Sequence, residues 1–135
     1  MTSPLAESGK QRIAALFRDV LQAPALDLKA VQAYFDPAYV QTVDGTTLDH
    51  AGFVAHMRKQ KEAIASMEVD FLAMAEDGDT VFTNHVVTAT KKDGDTVVVK
   101  VIAQFVFKDD RLVRCDELTR LLQGGHDDRD IGSRH

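Results

Sequence analysis

Residues Thr96–Phe107 read TVVVKVIAQFVF, a run of strand-forming side chains that decides the architecture of this chain. The odd positions of the run are all apolar, whereas the even positions mix apolar residues with Lys100 and Gln104. Because successive side chains of a strand point to opposite faces, the odd positions are expected to be buried. The even face is also too apolar to meet only water, so helices should cover one face of the sheet and something should partly cover the other.

This run is the third of four long strands that are predicted between Met67 and Leu121. Acidic turns at residues 76–79, 91–95 and 108–110 separate the strands. Within the strands the apolar residues recur with a period of two, which is typical of a sheet. The second half of the chain therefore predicts one curved antiparallel sheet.

Helices are predicted before this sheet. The first begins with a capping box at Ser8–Gln11, in which two side chains satisfy free backbone donors reciprocally. The second begins at Asp27, which is placed as its N-cap, and Pro37 closes it.

A short strand over Ala38–Val43 and a turn at residues 44–45 come next. A third helix is expected to open near Thr46 or Thr47 and to run through Ile64. The order of elements predicts an α+β fold. A cone-shaped, strongly curved antiparallel sheet carries three N-terminal helices on its concave face, with a pocket inside.

The composition restricts the classes of function. The chain has 135 residues, of which 44% are hydrophobic and 27% charged, as expected for one globular domain. The net charge of -5 argues against nucleic-acid binding, which needs a basic surface. No apolar stretch approaches the roughly 20 residues of a membrane span. The first residues lack the basic and apolar parts of a signal peptide, so we expect a cytoplasmic protein.

We expect a single domain over residues 1–122, followed by a polar tail over residues 123–135. The one cysteine, Cys115, excludes an internal disulfide and a multi-cysteine metal site, and it is interpreted as a small core residue. His50 and His56 do not share a helix face, and His56 is interpreted as solvated. We therefore expect neither a metal nor a cofactor.

Polar residues interrupt the strand faces that are expected to be buried. Without a bulge Glu117 points inward, and His85 on an earlier strand can do so as well, whereas one bulge would exchange Glu117 for Asp116. A carboxylate beside a histidine raises its basicity, so His85 with Glu117 or Asp116 is the candidate acid–base pair. Alternatively, His85 is a satisfied, partly buried histidine and Glu117 lies at the rim of the sheet.

The predicted pocket combines apolar walls with hydrogen-bonding groups near the candidate pair. Its predicted lining is Phe35, Tyr39, Gln41, Thr42, Met57, Gln104 and Phe105. Such a pocket suits a small hydrophobic ligand or substrate. The partly apolar even face of the sheet suits a second copy of the chain, so a homodimer through the sheet is expected.

Two stretches, YFDPAYVQ at residues 34–41 and DDRLVR at residues 109–114, are similar to sequences of a known protein superfamily. With the order helix, helix, short strand, helix and four strands, the chain resembles the nuclear transport factor 2-like superfamily, also called SnoaL-like, from Ser8 to Gly124. The resemblance implies the cone fold. The superfamily includes ketosteroid isomerases, polyketide cyclases, dehydratases, epoxide hydrolases and non-catalytic binding proteins, so the fold alone does not choose a function.

The resemblance also implies which residues of this chain stand at the functional positions of the superfamily. Ketosteroid isomerase-like members remove a proton with an aspartate on the short strand, where this chain has Thr42, whose hydroxyl is far too weak a base. Polyketide cyclase-like members use an acidic residue late in the last strand, which corresponds to Asp116 or Glu117. We therefore expect a cofactor-free isomerase, dehydratase or cyclase that acts on a small hydrophobic substrate. The alternative is a non-catalytic ligand-binding or protein-interaction module with the same fold.

Overall fold

In the computed structural model, residues 8–124 are described, and they form helices at the start and a six-stranded sheet. The elements in chain order are α1 (Gly9–Leu16) with a π-helical last turn (Phe17–Leu21), α2 (Leu28–Tyr34), β1 (Phe35–Val43), β2 (Thr46–Asp49), α3 (His50–Ala63), β3 (Ile64–Asp77), β4 (Thr80–Lys91), β5 (Thr96–Lys108) and β6 (Arg111–Gln123). The α+β prediction with four long strands is confirmed. None of the helices in this part of the chain has the length and apolar content that a membrane crossing requires.

The sheet has the strand order β2-β1-β6-β5-β4-β3. Its pairings are antiparallel, apart from the parallel pairing of β1 with β6. Parallel neighbours need a long crossover connection, and the chain between β1 and β6 supplies it with α3 and four strands.

The predicted starts of the first two helices are confirmed. The Ser8 side chain accepts a hydrogen bond from the Gln11 amide, and the Gln11 side chain accepts one from the Ser8 amide. Asp27 accepts hydrogen bonds from the amides of Lys29 and Ala30. These bonds satisfy amides that the first turn of a helix leaves without partners.

The predicted start of the third helix is wrong. Residues Thr46–Asp49 form strand β2, and α3 begins at His50 with Asp49 as its N-cap, which accepts a hydrogen bond from the Gly52 amide at 2.9 Å. Asp44 and Gly45 both have positive φ, 50° and 86°, which is typical of the two-residue turn of a β-hairpin. The turn signal at residues 44–45 therefore indicated a hairpin that the prediction did not include.

Helix α3 connects the two edges of the sheet. It follows the edge strand β2 and leads into the opposite edge strand β3, and it contacts β1, β2 and β3. Its 14 residues extend over about 21 Å. Six flat strands would be about 24 Å wide. Helix α3 therefore lies across the concave side of the curved sheet, and it buries Phe53, His56 and Met57 there.

A bulge at Val113 sets the register of β6. Val106 lies opposite Arg114 and Phe107 lies opposite Leu112, so Val113 is the extra residue. Leu112, which the strict alternation placed on the outer face, is therefore buried with 1% of its surface exposed. Beyond the bulge the predicted alternation holds. β6 continues to Gln123, and residues 125–135 of the predicted tail lie outside the described residues.

We predict that the Glu76 side chain stabilises α1 from strand β3. Its carboxylate accepts hydrogen bonds from the amides of Gly9 at 3.2 Å and Lys10 at 3.1 Å. Replacing Glu76 by alanine should lower the free energy of unfolding by about 1 kcal/mol, since a negative charge at a helix N-terminus is lost. Urea denaturation measures the effect. The neighbouring exposed Asp77→Ala serves as the control, and equal stability of both variants would contradict the assignment.

Candidate active site

The concave face of the sheet, α1 with its π-helical turn, and α3 enclose a cavity. The cavity has a volume of about 100 Å³. Most of the wall is apolar, and the side chains that bring polar atoms to it are Tyr39, Gln41, His56, Gln60, His85, Cys115 and Glu117.

Five of the seven predicted lining residues border the cavity, namely Phe35, Tyr39, Gln41, Met57 and Phe105. The structure does not bring Thr42 and Gln104 to it. Thr42 lies between two inward residues of β1, and its hydroxyl shares a hydrogen bond with the Thr47 hydroxyl at 3.0 Å. Gln104 is exposed on the even face of β5. Both residues fall on the outward face because their strands alternate without interruption at these positions.

One polar cluster of the cavity lies where β1 pairs with β6. Gln41 lies opposite Cys115 and Val43 opposite Glu117. Cys115 Sγ donates a hydrogen bond to Glu117 Oε1 at 3.1 Å, and the Tyr39 hydroxyl donates one to Gln41 Oε1 at 3.0 Å. We call Tyr39, Gln41, Cys115 and Glu117 the Glu117 cluster.

Burial raises the pKa of Glu117 to about 7, and the nearby carboxylates of Asp44 and Asp116 act in the same direction. The hydrogen bond from Cys115 acts against this rise. Burial also raises the pKa values of Tyr39 and Cys115 well above their usual range, so both remain protonated at neutral pH. Glu117 is therefore the member of the cluster that can give or take a proton near neutral pH.

Glu117 and Asp116 lie on opposite faces of β6, and this decides which of the two carboxylates can reach a ligand in the cavity. Asp116 is exposed on the outer face, opposite the exposed Gln104, so it cannot reach a ligand in the cavity. The bulge that could have exchanged the two carboxylates occurs before Cys115, and it leaves Glu117 facing inward.

His85 lies in an aromatic part of the cavity wall, with 1% of its surface exposed. Its ring packs edge-on against Phe17 at 5.1 Å and is tilted against Phe71 at 5.4 Å. Its Nδ1 atom shares a hydrogen bond of 2.8 Å with the Thr83 hydroxyl. Burial lowers the pKa of His85 to about 4, so the imidazole is neutral at neutral pH.

His85 and Glu117 do not form the direct pair that the sequence suggested. In the register, His85 lies opposite Val101, and Ala103 lies opposite Glu117. Two strand spacings and two residues separate them, so their Cα atoms are about 12 Å apart. Among residues 8–124, Thr83 is the hydrogen-bond partner of His85 and Cys115 is that of Glu117. The two side chains border opposite parts of one cavity.

His56 is a cavity residue that the sequence analysis placed in solvent. Only 4% of its surface is exposed, and it borders the cavity together with Met57 and Gln60. The signal was present in the spacing, since Phe53, His56, Met57 and Gln60 recur at intervals that put them on one helix face. His56 was interpreted as solvated because histidine is polar, although it lies one helical turn from apolar residues.

No group of three or more His, Cys, Asp and Glu side chains suited to a metal ion occurs between residues 8 and 124. The expected absence of a metal and a cofactor remains a prediction.

The sequence matches the SnoaL-like domain family over residues 13–115. An uncharacterized protein of Schizosaccharomyces pombe is 32% identical over 107 residues, which cover 79% of this chain and 82% of the relative. The chain belongs to the SnoaL-like family.

Solved structures share the fold. IdmH, a proposed polyketide cyclase from Streptomyces antibioticus, superposes with a TM-score of 0.71 at 17% identity over 84% of this chain and 92% of its own. A proposed polyketide cyclase from Acidithiobacillus ferrooxidans has a TM-score of 0.68 at 21% identity, over 85% of this chain and 89% of its own. At these identities the likeness establishes the architecture alone.

We predict that Glu117 makes the protein less stable as the pH rises. Its pKa is about 7 in the folded chain and 4.5 in an ordinary carboxyl group, so the folded state holds the proton more tightly. The free energy of unfolding should therefore fall by roughly 3 kcal/mol as the pH rises through this interval. Chemical denaturation at a series of pH values measures the slope.

The Glu117→Gln variant should lose this slope, because its amide does not titrate. The exposed Asp116→Asn variant should retain most of it. A slope that survives Glu117→Gln unchanged would assign the pH dependence to another group. His85 acts with the opposite sign: its lowered pKa makes stability fall as the pH drops from 6.5 towards about 4.

Proposed function

We propose that the protein binds a small, mostly apolar molecule in its cavity and acts on it by acid–base chemistry at Glu117. The observation that carries this proposal is a carboxyl group with a pKa of about 7 that faces a mostly apolar cavity. Such a group is present in both its acid and its base form near neutral pH, which suits general acid–base catalysis. Isomerisation, dehydration and cyclisation are the reaction types that need this chemistry.

The charge of the wall favours an uncharged ligand. Of the described residues, no lysine or arginine borders the cavity, and the His85 imidazole is neutral at neutral pH. An anionic ligand would lose its hydration without gaining a partner of opposite charge. A neutral molecule with a carbonyl or hydroxyl oxygen at the Glu117 cluster avoids that cost. If the ligand has a second polar atom, that atom would lie near His85, at the other end of the ligand's apolar body.

The reaction at such a ligand begins with a hydrogen bond. Protonated Glu117 donates to the ligand's carbonyl oxygen, and ionised Glu117 accepts a proton from the carbon beside that carbonyl. The apolar wall keeps water away, which strengthens both interactions. Two strands away on the same sheet, neutral His85 is held by Thr83, and its Nε2 atom can act as a donor or an acceptor.

The second candidate function is ligand binding without chemistry. Two observations favour it: His85 already has a hydrogen-bond partner in Thr83, and its ring is packed by Phe17 and Phe71. A cavity with these properties retains a small molecule whether or not Glu117 transfers a proton.

Deuterium exchange of an uncharged ketone that carries an aromatic ring, 2-tetralone, separates the two candidates. In D2O the protein should accelerate exchange of the protons beside the carbonyl, with a pH dependence centred near the Glu117 pKa of about 7. The Glu117→Gln variant should lose roughly 100-fold or more of this rate while it still binds the ketone. The Asp116→Asn variant should keep the rate, since Asp116 lies on the outer face.

Proton NMR follows the exchange, and ligand-observed NMR follows binding. A ketone that binds but exchanges at the same rate with parent and Glu117→Gln would establish the binding function and refute the catalytic one. The matched carboxylate, 2-naphthoate, should bind more weakly than the ketone; equal binding would contradict the preference for uncharged ligands.

We further propose that a second copy of the chain covers the outer face of the sheet. Leu72, Phe82, Ile102, Leu118 and Leu122 expose 46–68% of their surface. Phe82, Ile102 and Leu118 have outward strand positions, whereas Leu72 and Leu122 lie at bulges of β3 and β6. Ile102 lies opposite Leu118 on the neighbouring strand, so these two exposed side chains form an apolar patch on the outer face. Patches of this kind mark interaction sites.

The charges around the patch suit a two-fold pairing. Glu68 and Asp70 lie on the outer face of β3, and Arg114 and Arg120 lie on the same face of β6, three strands away. A two-fold axis between β4 and β5 brings the acidic side of one copy towards the basic side of the other. The buried Asn84 Oδ1, beside Ile102, has no hydrogen-bond partner within the described chain, and a second copy could supply a donor.

Sedimentation velocity tests the dimer. The parent chain should sediment as a dimer at micromolar concentration, and Ile102→Lys should sediment as a monomer because it places two positive charges near the two-fold axis. Leu28→Lys is a matched control, since Leu28 is 48% exposed on α2 and Ile102 is 50% exposed on β5. A monomeric parent, or a dimeric Ile102→Lys, would refute the interface.

A further inference from the structure

The turn between β1 and β2 is bound to β6 beside Glu117. The Asp44 amide donates a hydrogen bond to the Glu117 carbonyl oxygen at 3.0 Å. The Asp44 carboxylate accepts one from the Thr119 amide at 2.8 Å and another from the Thr119 hydroxyl. Asp44 thus contacts β6 at the residue that borders the cavity and at the residue two positions beyond it.

These bonds replace strand pairing that ends at this point. β1 runs parallel to β6 until Val43 lies opposite Glu117, after which the chain turns away into β2. Without another partner, the backbone of β6 beyond Glu117 would lose its neighbour on that side. The Asp44 carboxylate takes the place that a carbonyl oxygen of a continuing strand would have occupied.

The turn itself does not require a carboxylate. Asp44 has a φ of 50° in the two-residue turn, and asparagine suits that conformation as well as aspartate does. What aspartate adds is a negative charge near the Glu117 carboxyl group. That charge is among the causes that keep Glu117 protonated.

We propose that Asp44 is a positioning residue for Glu117: its side chain holds β6 at Thr119 so that the Glu117 carboxyl faces the cavity, and it places a second negative charge beside that carboxyl. This inference rests on the proposed function of Glu117. It adds a residue outside the cavity that sets the position and the protonation of the acting group.

The variants separate the two contributions of Asp44. Asp44→Asn keeps the turn and an acceptor for the Thr119 amide but removes the charge. Asp44→Gly keeps the turn, since glycine adopts positive φ freely, and removes both. Thr119→Val removes the hydroxyl donor and leaves the charge of Asp44 in place.

The first measurement is the titration of Glu117, followed by carbon NMR of its carboxyl group and assigned with Glu117→Gln. In the parent the midpoint should lie near 7. In Asp44→Asn and Asp44→Gly it should move down by on the order of one pH unit, because a like charge is gone. In Thr119→Val it should stay at the parent value.

The second measurement is hydrogen exchange of the Thr119 amide. Protection should be retained in Asp44→Asn and lost in Asp44→Gly. If Asp44→Asn leaves the Glu117 midpoint unchanged, or if Asp44→Gly leaves the Thr119 amide protected, the proposal is refuted. Should Asp44→Gly fail to fold, Asp44→Asn and Thr119→Val still decide the charge effect.

Ketone exchange distinguishes this proposal from the proposed function. If Glu117 is catalytic, the pH profile of exchange should move with the NMR midpoint in Asp44→Asn, and Thr119→Val should leave it in place. A shifted midpoint with no ketone exchange in any variant would refute the catalytic function and retain the positioning by Asp44.

Discussion

The concave face of the sheet must be covered, and the rest of the structure depends on how α3 covers it. The inward residues of β5 are apolar over its whole length, so an uncovered face would leave a large apolar surface in water. Helix α3 is attached to the sheet at both of its edges and lies across this face. Phe53 of α3 stacks on Phe35 at 4.7 Å and packs edge-on against Tyr39 at 5.1 Å, which ties the helix to β1. The cavity is the space that remains between a straight helix and a curved sheet.

The cavity shifts the pKa values of two buried groups in opposite directions. Burial disfavours the charged form of any side chain, so it raises the pKa of the Glu117 carboxyl and lowers that of the His85 imidazole. Both groups are consequently neutral over much of the range below neutral pH. A cavity that neutralises its acid and its base in this way accepts an uncharged ligand with little electrostatic cost. The same burial makes Glu117 a group that titrates near neutral pH.

The two faces of the sheet serve different roles because strand side chains alternate. On β6, Glu117 faces the cavity while its neighbours Asp116 and Leu118 face outward. A change at one position therefore affects either the ligand site or the outer surface. Asp44 connects the outer surface with the ligand site. It lies in the exposed turn after β1, and its hydrogen bonds reach the β6 backbone at Glu117 and Thr119.

The sequence by itself determined the fold class, the helix caps at Ser8 and Asp27, and the inward face of β5 and β6, because capping and alternation are local properties of the chain. It also predicted His85 and one of the two carboxylates, Glu117 or Asp116, as inward polar residues, and the position of the bulge decided between the carboxylates. The start of α3 was missed because the hairpin at residues 44–45 takes up the four residues before it, and His56 was missed because polarity was preferred over helix spacing.

Only the tertiary structure decided which polar groups meet. Alternation tells which face a side chain occupies, but the distance between His85 and Glu117 depends on the order of β4, β5 and β6, which long-range pairing sets. The partners of these residues, Thr83 and Cys115, are two positions away on their own strands, and the bonds form because both side chains share a buried face. The contact of Asp44 with Thr119 joins residues 75 positions apart, so no local pattern could indicate it.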